Sequence, residues 1–224
     1  MKTKATFLLN IGLLLLSLPA FAGPPADAGV TRTQIEGFDN WAWMDNPLSP
    51  GTVTCPGGEL MFNEFLIPYC ANSTTGLLHL RDAVLWSCMT SDDDPRITGV
   101  GLFTFNGNFD ADSSGPVWGK WTIVPMVGCN KDGLYPEEQV MSSTMSWHGT
   151  WNGQRMFYSD NGLPVWIGDL NIVGRGNGGD IDGLHFMGME LATTYSPFPI
   201  PYELLPIPEL RDVPEGYFTG EIKE

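Results

Sequence analysis

The sequence has little positive charge. It contains 11 lysines and arginines against 26 aspartates and glutamates. Removing Lys2 and Lys4 with the N-terminal segment discussed next leaves nine basic residues, so the net charge becomes −17. This charge disfavours nucleic acids and anionic membrane surfaces as partners. It fits a solvated acidic surface, and it is also compatible with bound cations or cationic partners.

Only one long apolar run is present, and it lies at the N-terminus. Lys2 and Lys4 precede the apolar residues 7–18, and Ala20-Phe21-Ala22 places small residues at −3 and −1 of a cleavage point. This is the pattern of a secretory signal peptide, and the run is too short for a membrane span. The sequence therefore predicts cleavage after Ala22, no membrane insertion, and a secreted or periplasmic protein.

Cysteines are few and even in number: Cys55, Cys70, Cys88 and Cys129. In an exported chain this count predicts two disulfides, and four cysteines allow three pairings. We favour Cys55–Cys70 and Cys88–Cys129, a short loop followed by a clasp between strands. The spacing contains no C-x-x-C pair, which argues against the alternative of a zinc site.

Helical periodicity is weak throughout the chain, and the 27 glycines and 18 prolines also disfavour helices. From Thr52 onward, short apolar segments alternate with glycine, proline, asparagine and aspartate, which is typical of antiparallel strands. The predicted strands are Glu59–Leu66, Leu77–Ser87, Ile97–Asn108, Val117–Val124, Ser146–Trp151, Arg155–Tyr158, Val165–Val173 and Ile181–Tyr195.

The fold class is therefore predicted to be all-β. We expect an antiparallel meander closed or nearly closed into a barrel of about eight strands, because closure removes exposed sheet edges. A β-sandwich is the alternative. Strict period two from Ile97 places Phe103, Phe105 and Phe109 on one face together with several glycines. Glycine at such positions lets a sheet bend or lets a ring pack against it.

Four segments follow from this pattern. We expect a signal peptide at 1–22, a flexible leader and irregular arm at 23–50, a β-barrel domain at 51–195, and a proline-rich C-terminal arm at 196–224. The arm has six prolines between Pro197 and Pro214, so it is not a central strand. Residues 216–222 are a candidate for one last strand.

The segment around Asp110 carries a candidate metal site. Asp110, Asp112 and Ser114 match the opening of an oxygen-ligand calcium loop, in which alternate residues of a tight turn direct oxygens inward. The twelfth position is Trp121 and not the bidentate glutamate of an EF-hand. A polar hairpin turn, with aspartate and serine bonded to the backbone, is the alternative. Calcium is the only cofactor that the sequence indicates.

No nucleophile motif such as G-x-S-x-G is present. The three histidines, His79, His148 and His185, lack metal-motif spacing and lie in predicted strands. His185 shares one face of its strand with Met187 and Met189, and we expect this face to line an apolar interior. With Trp166 and Phe103 nearby, these residues form the predicted ligand-binding set.

The stretch Gly107 to Gly119, with the later strand Gly183 to Ala192, resembles small calycin-like β-barrels of the allene oxide cyclase type. The resemblance lies in the order of aromatic strands and glycine turns between Ile97 and Thr194. It implies an eight-stranded antiparallel barrel whose interior holds an apolar molecule. No catalytic residue of that family matches a position here, so no cyclase activity is implied.

Three functional hypotheses follow. The first is a secreted β-barrel that binds a small apolar or aromatic molecule. The second is an extracellular calcium-dependent glycan-binding or adhesion module that uses Asp110 and Asp112. The third is an isomerase or cyclase that uses His185 or a buried carboxylate inside an enclosed pocket.

Overall fold

The computed structural model describes residues 30–41, 49–62, 68–125, 143–160, 163–194 and 216–224. These residues form eleven strands and no α-helix. The strands are β1 (Arg32–Trp41), β2 (Thr52–Thr54), β3 (Glu59–Phe62), β4 (Pro68–Ala71), β5 (Leu78–Thr90), β6 (Gly99–Phe109), β7 (Gly115–Pro125), β8 (Ser146–Asp160), β9 (Leu163–Asn177), β10 (His185–Thr194) and β11 (Gly216–Lys223).

Eight antiparallel strands are hydrogen-bonded in a ring. Their order is β1-β11-β10-β9-β8-β7-β6-β5, and β1 pairs again with β5 from Phe38↔Thr90 to Trp41↔Ser87. Strand β2 adds to β5. The β1–β5 ladder is short, so the sheet forms a nearly closed barrel. The predicted all-β meander is confirmed.

Strands β3 and β4 form a separate hairpin, in which Glu59 pairs with Ala71. The predicted disulfide Cys55–Cys70 is present at its base. Cys88 on β5 is also disulfide-bonded, whereas its predicted partner Cys129 lies outside the described residues. Disulfides are typical of exported proteins, which agrees with the predicted localisation. The predicted signal peptide also lies outside the described part.

The barrel interior is packed with aromatic rings that lie on glycines. Trp121 is fully buried on β7, meets Phe186 edge-to-face at 6.0 Å, and donates a hydrogen bond from Nε1 to the Val173 carbonyl at 3.1 Å. A Cβ on Gly149 or Gly174 would overlap the Trp121 ring. Phe103, Phe105 and Phe109, which the period-two pattern places on one face of β6, are all buried.

The barrel is not confined to the predicted range 51–195. Strand β1 lies inside the predicted leader and arm at 23–50, and β11 lies inside the predicted arm at 196–224. Strands β1 and β11 pair with each other along eight residues, from Arg32↔Lys223 to Asp39↔Gly216. The predicted strands Ser146–Trp151 and Arg155–Tyr158 are parts of one strand, β8, which pairs with β9 without interruption. Residues 196–215 lie outside the described part of the chain.

Within the described residues, no helix has the length and apolarity that a membrane crossing requires.

An ion pair between the buried Asp94 and the half-buried Arg96 holds the turn between β5 and β6. The Asp94 carboxylate accepts hydrogen bonds from Nε and Nη2 of Arg96 at 3.0 and 2.8 Å, and Arg96 also contacts Glu224 at 3.1 Å. Burial acts to raise the pKa of Asp94, but the hydrogen bonds and charge of Arg96 outweigh it and lower that pKa. The Arg96 carbonyl accepts from Nε1 of Trp147 at 2.8 Å, so this turn is tied to the core.

The pair predicts a pH-dependent stability. Because the pKa of Asp94 is lower in the folded state, its contribution is present above the ordinary aspartate pKa and is lost as pH falls through the folded value. Asp94→Asn is expected to lower the unfolding free energy by about 1–3 kcal/mol at pH 7. The difference from wild type should shrink below about pH 4. Urea unfolding at pH 7 and below about pH 4 measures the difference in unfolding free energy between wild type and variant. Asp92→Asn is the control, because Asp92 is an exposed aspartate of the same turn. A difference that is the same at both pH values would contradict the prediction.

Candidate functional site

The predicted ligand-binding face of β10 points outward. His185 is exposed, and Met187 and Met189 are 54% and 52% exposed. The prediction that this face lines the interior is wrong, because Phe186 and Glu190, on the other face, are buried. Phe186 packs against Trp121 in the core, which fixes the strand with its methionines outside.

The other two predicted ligand residues are buried. Phe103 on β6 lies opposite Trp121 in the core. Trp166 on β9 packs against Phe157 at 5.4 Å and donates from Nε1 to the Asp112 carbonyl at 2.8 Å. The structure thus separates the predicted set into an outer pair of methionines and two interior rings, and it does not bring the five residues together.

A groove of about 760 Å³ crosses the outer face of β1, β11, β10 and β9. Met187 and Met189 provide its apolar floor, and Val173 lies opposite Met187 on β9. Leu191, which is 54% exposed, continues the apolar surface along β10. The groove is an open depression on a sheet face, in contrast to the enclosed interior that the sequence predicts.

The β1 side of the groove is acidic and aromatic. Glu36 and Asp93 line both the groove and an adjoining recess of about 150 Å³ that also contains Phe38 and Tyr217. The two rings lie 5.6 Å apart, and the Tyr217 hydroxyl donates to Glu36 at 2.6 Å. The hydrogen bond to Glu36, together with nearby negative charge, raises the pKa of Tyr217.

The predicted calcium residues form a tight polar turn between β6 and β7. The Ser114 amide donates to carboxylate oxygens of both Asp110 and Asp112, at 3.0 and 2.9 Å. The Ser114 hydroxyl accepts from the Phe157 amide at 2.8 Å. Burial and the hydrogen bond shared with Asp112 raise the pKa of Asp110, while the same bond lowers that of Asp112.

The hydrogen bonds of Ser114 are typical of a polar hairpin turn, which is the alternative to a calcium loop in the sequence analysis. Across the described ranges, no group of three or more histidine, cysteine, aspartate or glutamate residues is placed to hold a metal ion. The calcium site stays a prediction that rests on two converging carboxylates.

Arg155 is a buried cation that sequence reasoning missed. It lies on β8 beneath the 110–114 turn and donates from Nε and Nη2 to the Ser113 carbonyl at 3.0 and 2.8 Å. Its guanidinium carbon lies 3.9 Å from the centre of the Phe109 ring. Burial lowers the pKa of Arg155 to about 9, although the charges of Asp110 and Asp112 act in the opposite direction.

Two buried carboxylates approach each other inside the barrel. Asp39 on β1 and Glu190 on β10 both flank Gly216, where an added Cβ would overlap Glu190 Oε1 and lie 3.3 Å from the Asp39 Cβ. Their exposures are 0% and 1%, so a substrate cannot reach either group without displacing what covers it. The sequence does not show that these two residues are close, because 151 residues separate them. Only the register of β1, β11 and β10 brings them together.

His148 lies at a further groove, of about 430 Å³, together with Arg175 and Asp182. Both ring nitrogens of His148 are engaged, with the hydroxyls of Thr122 at 3.2 Å and Ser146 at 2.7 Å. These contacts fit a hydrogen-bonded structural histidine on the outer surface.

In comparisons with known proteins, no family model, no curated protein and no solved structure matches this chain. The resemblance to allene oxide cyclase-type proteins is therefore supported only at the level of an antiparallel all-β barrel.

Proposed function

We propose that the protein binds a small, largely apolar molecule in the outer groove of β1, β11, β10 and β9. The observation that carries this proposal is the pair Met187 and Met189, each more than half exposed on the groove floor. Large contiguous apolar patches on a protein surface commonly mark a binding site. Methionine is flexible and polarizable, so it adapts to ligands of varied shape.

The size of the groove supports the same proposal. Its volume of about 760 Å³ falls in the usual range for small-molecule sites. Gln34 and Asn171 also line the groove, and their side-chain amides supply hydrogen-bonding groups that would orient a ligand. The proposal includes no catalytic step, since both interior carboxylates are closed off from solvent. Kinship with the allene oxide cyclase barrels stays a hypothesis that assigns no residue.

The test is a fluorescence titration with the neutral apolar dye Nile red. Wild type is expected to give a saturable increase, and Met187→Gln combined with Met189→Gln should weaken binding about tenfold or more, because apolar contact area is lost. Met156→Gln is the matched control, since Met156 is 40% exposed on β8 and does not line the groove. No saturable signal in folded wild-type protein, or an equal loss in Met156→Gln, would contradict the proposal.

A further inference from the structure

A row of basic side chains follows the curve of the outer face across five neighbouring strands. The registers place in line Arg32 on β1, Lys223 on β11, His185 on β10, Arg175 on β9 and His148 on β8. We call this set the basic row. It gathers three of the nine basic residues and two of the three histidines that follow the predicted signal peptide.

This arrangement is unfavourable by itself. Arg32 and Lys223 lie directly opposite each other, where side chains on neighbouring strands are about 5 Å apart and like charges destabilise a sheet. Glu221 pairs with Arg32 at 3.0 Å. Among the ion pairs of the described residues, none involves Lys223 or Arg175. In a chain with a large acidic excess, the strand pairing by itself gives no reason to align Lys223 and Arg175 with the other basic side chains.

We propose that the basic row binds a linear acidic polysaccharide. The row is one side chain wide and spans four strand spacings, about 19 Å along the curved sheet, so it fits a narrow polymer that bends round this face. A uronic acid chain carries one carboxylate per sugar, and the length of a sugar unit is close to the distance between neighbouring strands. The row ends in the groove of about 430 Å³ lined by His148, Arg175 and one carboxylate, Asp182, and this groove offers room for a sugar ring.

Other polyanions fit less well. Nucleic acids carry charge more densely, and the acidic remainder of the protein opposes them more strongly. A lipid surface needs a broad basic face, whereas the neighbouring row on the same strands contains Gln34, Glu221, Met187 and Val173. This proposal uses different residues from the apolar groove and goes beyond the ligand proposed there.

The test is calorimetric titration of the full mature chain with pentagalacturonate, with neutral maltopentaose as the reference sugar. We expect binding of the acidic sugar only, weakened by added salt because exposed charges are screened. Arg175→Gln combined with Lys223→Gln should lower the affinity about tenfold. Lys120→Gln, an exposed basic residue on β7 in the neighbouring row, should change it less than threefold.

Several results would overturn the proposal. They are no binding of pentagalacturonate, equal binding of maltopentaose, or equal losses in the row variant and in Lys120→Gln. If the protein bound a single-stranded oligothymidylate or phosphatidylglycerol vesicles more tightly than pentagalacturonate, the partner of the basic row would be a nucleic acid or a lipid surface and not a polysaccharide. The Met187→Gln, Met189→Gln protein should keep its pentagalacturonate affinity, so failure of the apolar-ligand proposal remains distinguishable. Circular dichroism of each variant verifies folding.

Discussion

A Gly149→Ala variant is expected to lose about 3 kcal/mol of unfolding free energy, near the upper end for overpacking a core. The added methyl would overlap the Val173 carbonyl and would lie 2.6 Å from Cε2 of Trp121. The Trp121 ring cannot retreat, because Phe186 meets it on one side and its Nε1 is hydrogen-bonded to Val173. The methyl therefore must displace either the indole or the β8–β9 ladder.

The measurement is thermal and urea unfolding. For a domain of this size the expected loss corresponds to a melting temperature about 6–12 °C lower. Gly168→Ala is the matched control, since an added Cβ there lies 3.2 Å from the Leu170 Cδ2 and 3.6 Å from the Ala192 Cβ. We expect that variant to change stability by less than about 1 kcal/mol.

A second variant separates the ring contact from any general effect on the strand. Combining Gly149→Ala with Trp121→Leu should cost less than the sum of the two single changes, because the smaller side chain vacates the space that the methyl needs. Additive losses would show that the Trp121 ring is not what requires glycine at position 149.

The inward face of β6 could be predicted from the sequence because one face is much more apolar than the other. Period two places Phe103, Phe105 and Phe109 together, and the opposite face contains threonine and asparagine. Those three rings point inward as expected. The same rule chose the wrong face of β10, where Met187 and Met189 outweigh Phe186 and Glu190 in apolar character. Since neighbouring residues of a strand point to opposite faces, a strand with two mixed faces gives no reliable direction.

Features that depend on pairing between distant segments could not be read from the sequence. Strand β1 finds its main partner in β11, nearly the whole chain away. The approach of Asp39 to Glu190 and the alignment of Arg32 with His148 arise only when the registers of several strands are known. The disulfide Cys55–Cys70 could be predicted from the sequence, because only 15 positions separate the two cysteines and the hairpin that brings them together is local.

An Arg155→Ala variant is expected to lose about 3–5 kcal/mol of unfolding free energy, because it removes two buried hydrogen bonds and a ring contact and leaves a cavity beneath the 110–114 turn. The Ser113 carbonyl would lose both guanidinium hydrogen bonds, and Ser113 is only 2% exposed, so water cannot readily replace them. The Phe109 ring would also lose its stacked partner.

The buried charge itself is costly, and this cost limits the expected loss. Because burial lowers the pKa of Arg155 to about 9, the folded state releases this proton before the unfolded chain does. The contribution of Arg155 to stability therefore increases as pH rises above about 9 towards the ordinary arginine pKa. Arg155→Met removes the charge but fills much of the volume, so it should lose about half as much as Arg155→Ala.

Urea unfolding of both variants, with amide hydrogen exchange of the turn, tests this argument. Exchange at the amides of Ser113 and Ser114 should accelerate in Arg155→Ala more than global stability requires, because the Ser113 amide bonds to Asp110 within the turn that Arg155 holds. Arg175→Ala is the control, since Arg175 is exposed on β9 and should change stability by no more than about 0.5 kcal/mol. If Arg155→Met were as unstable as Arg155→Ala, the charge and its hydrogen bonds would account for the whole effect. If Arg155→Ala lost less than about 1 kcal/mol, the cost of burying the guanidinium would cancel its contacts, and the turn would be held by Trp166 and Asp112 instead.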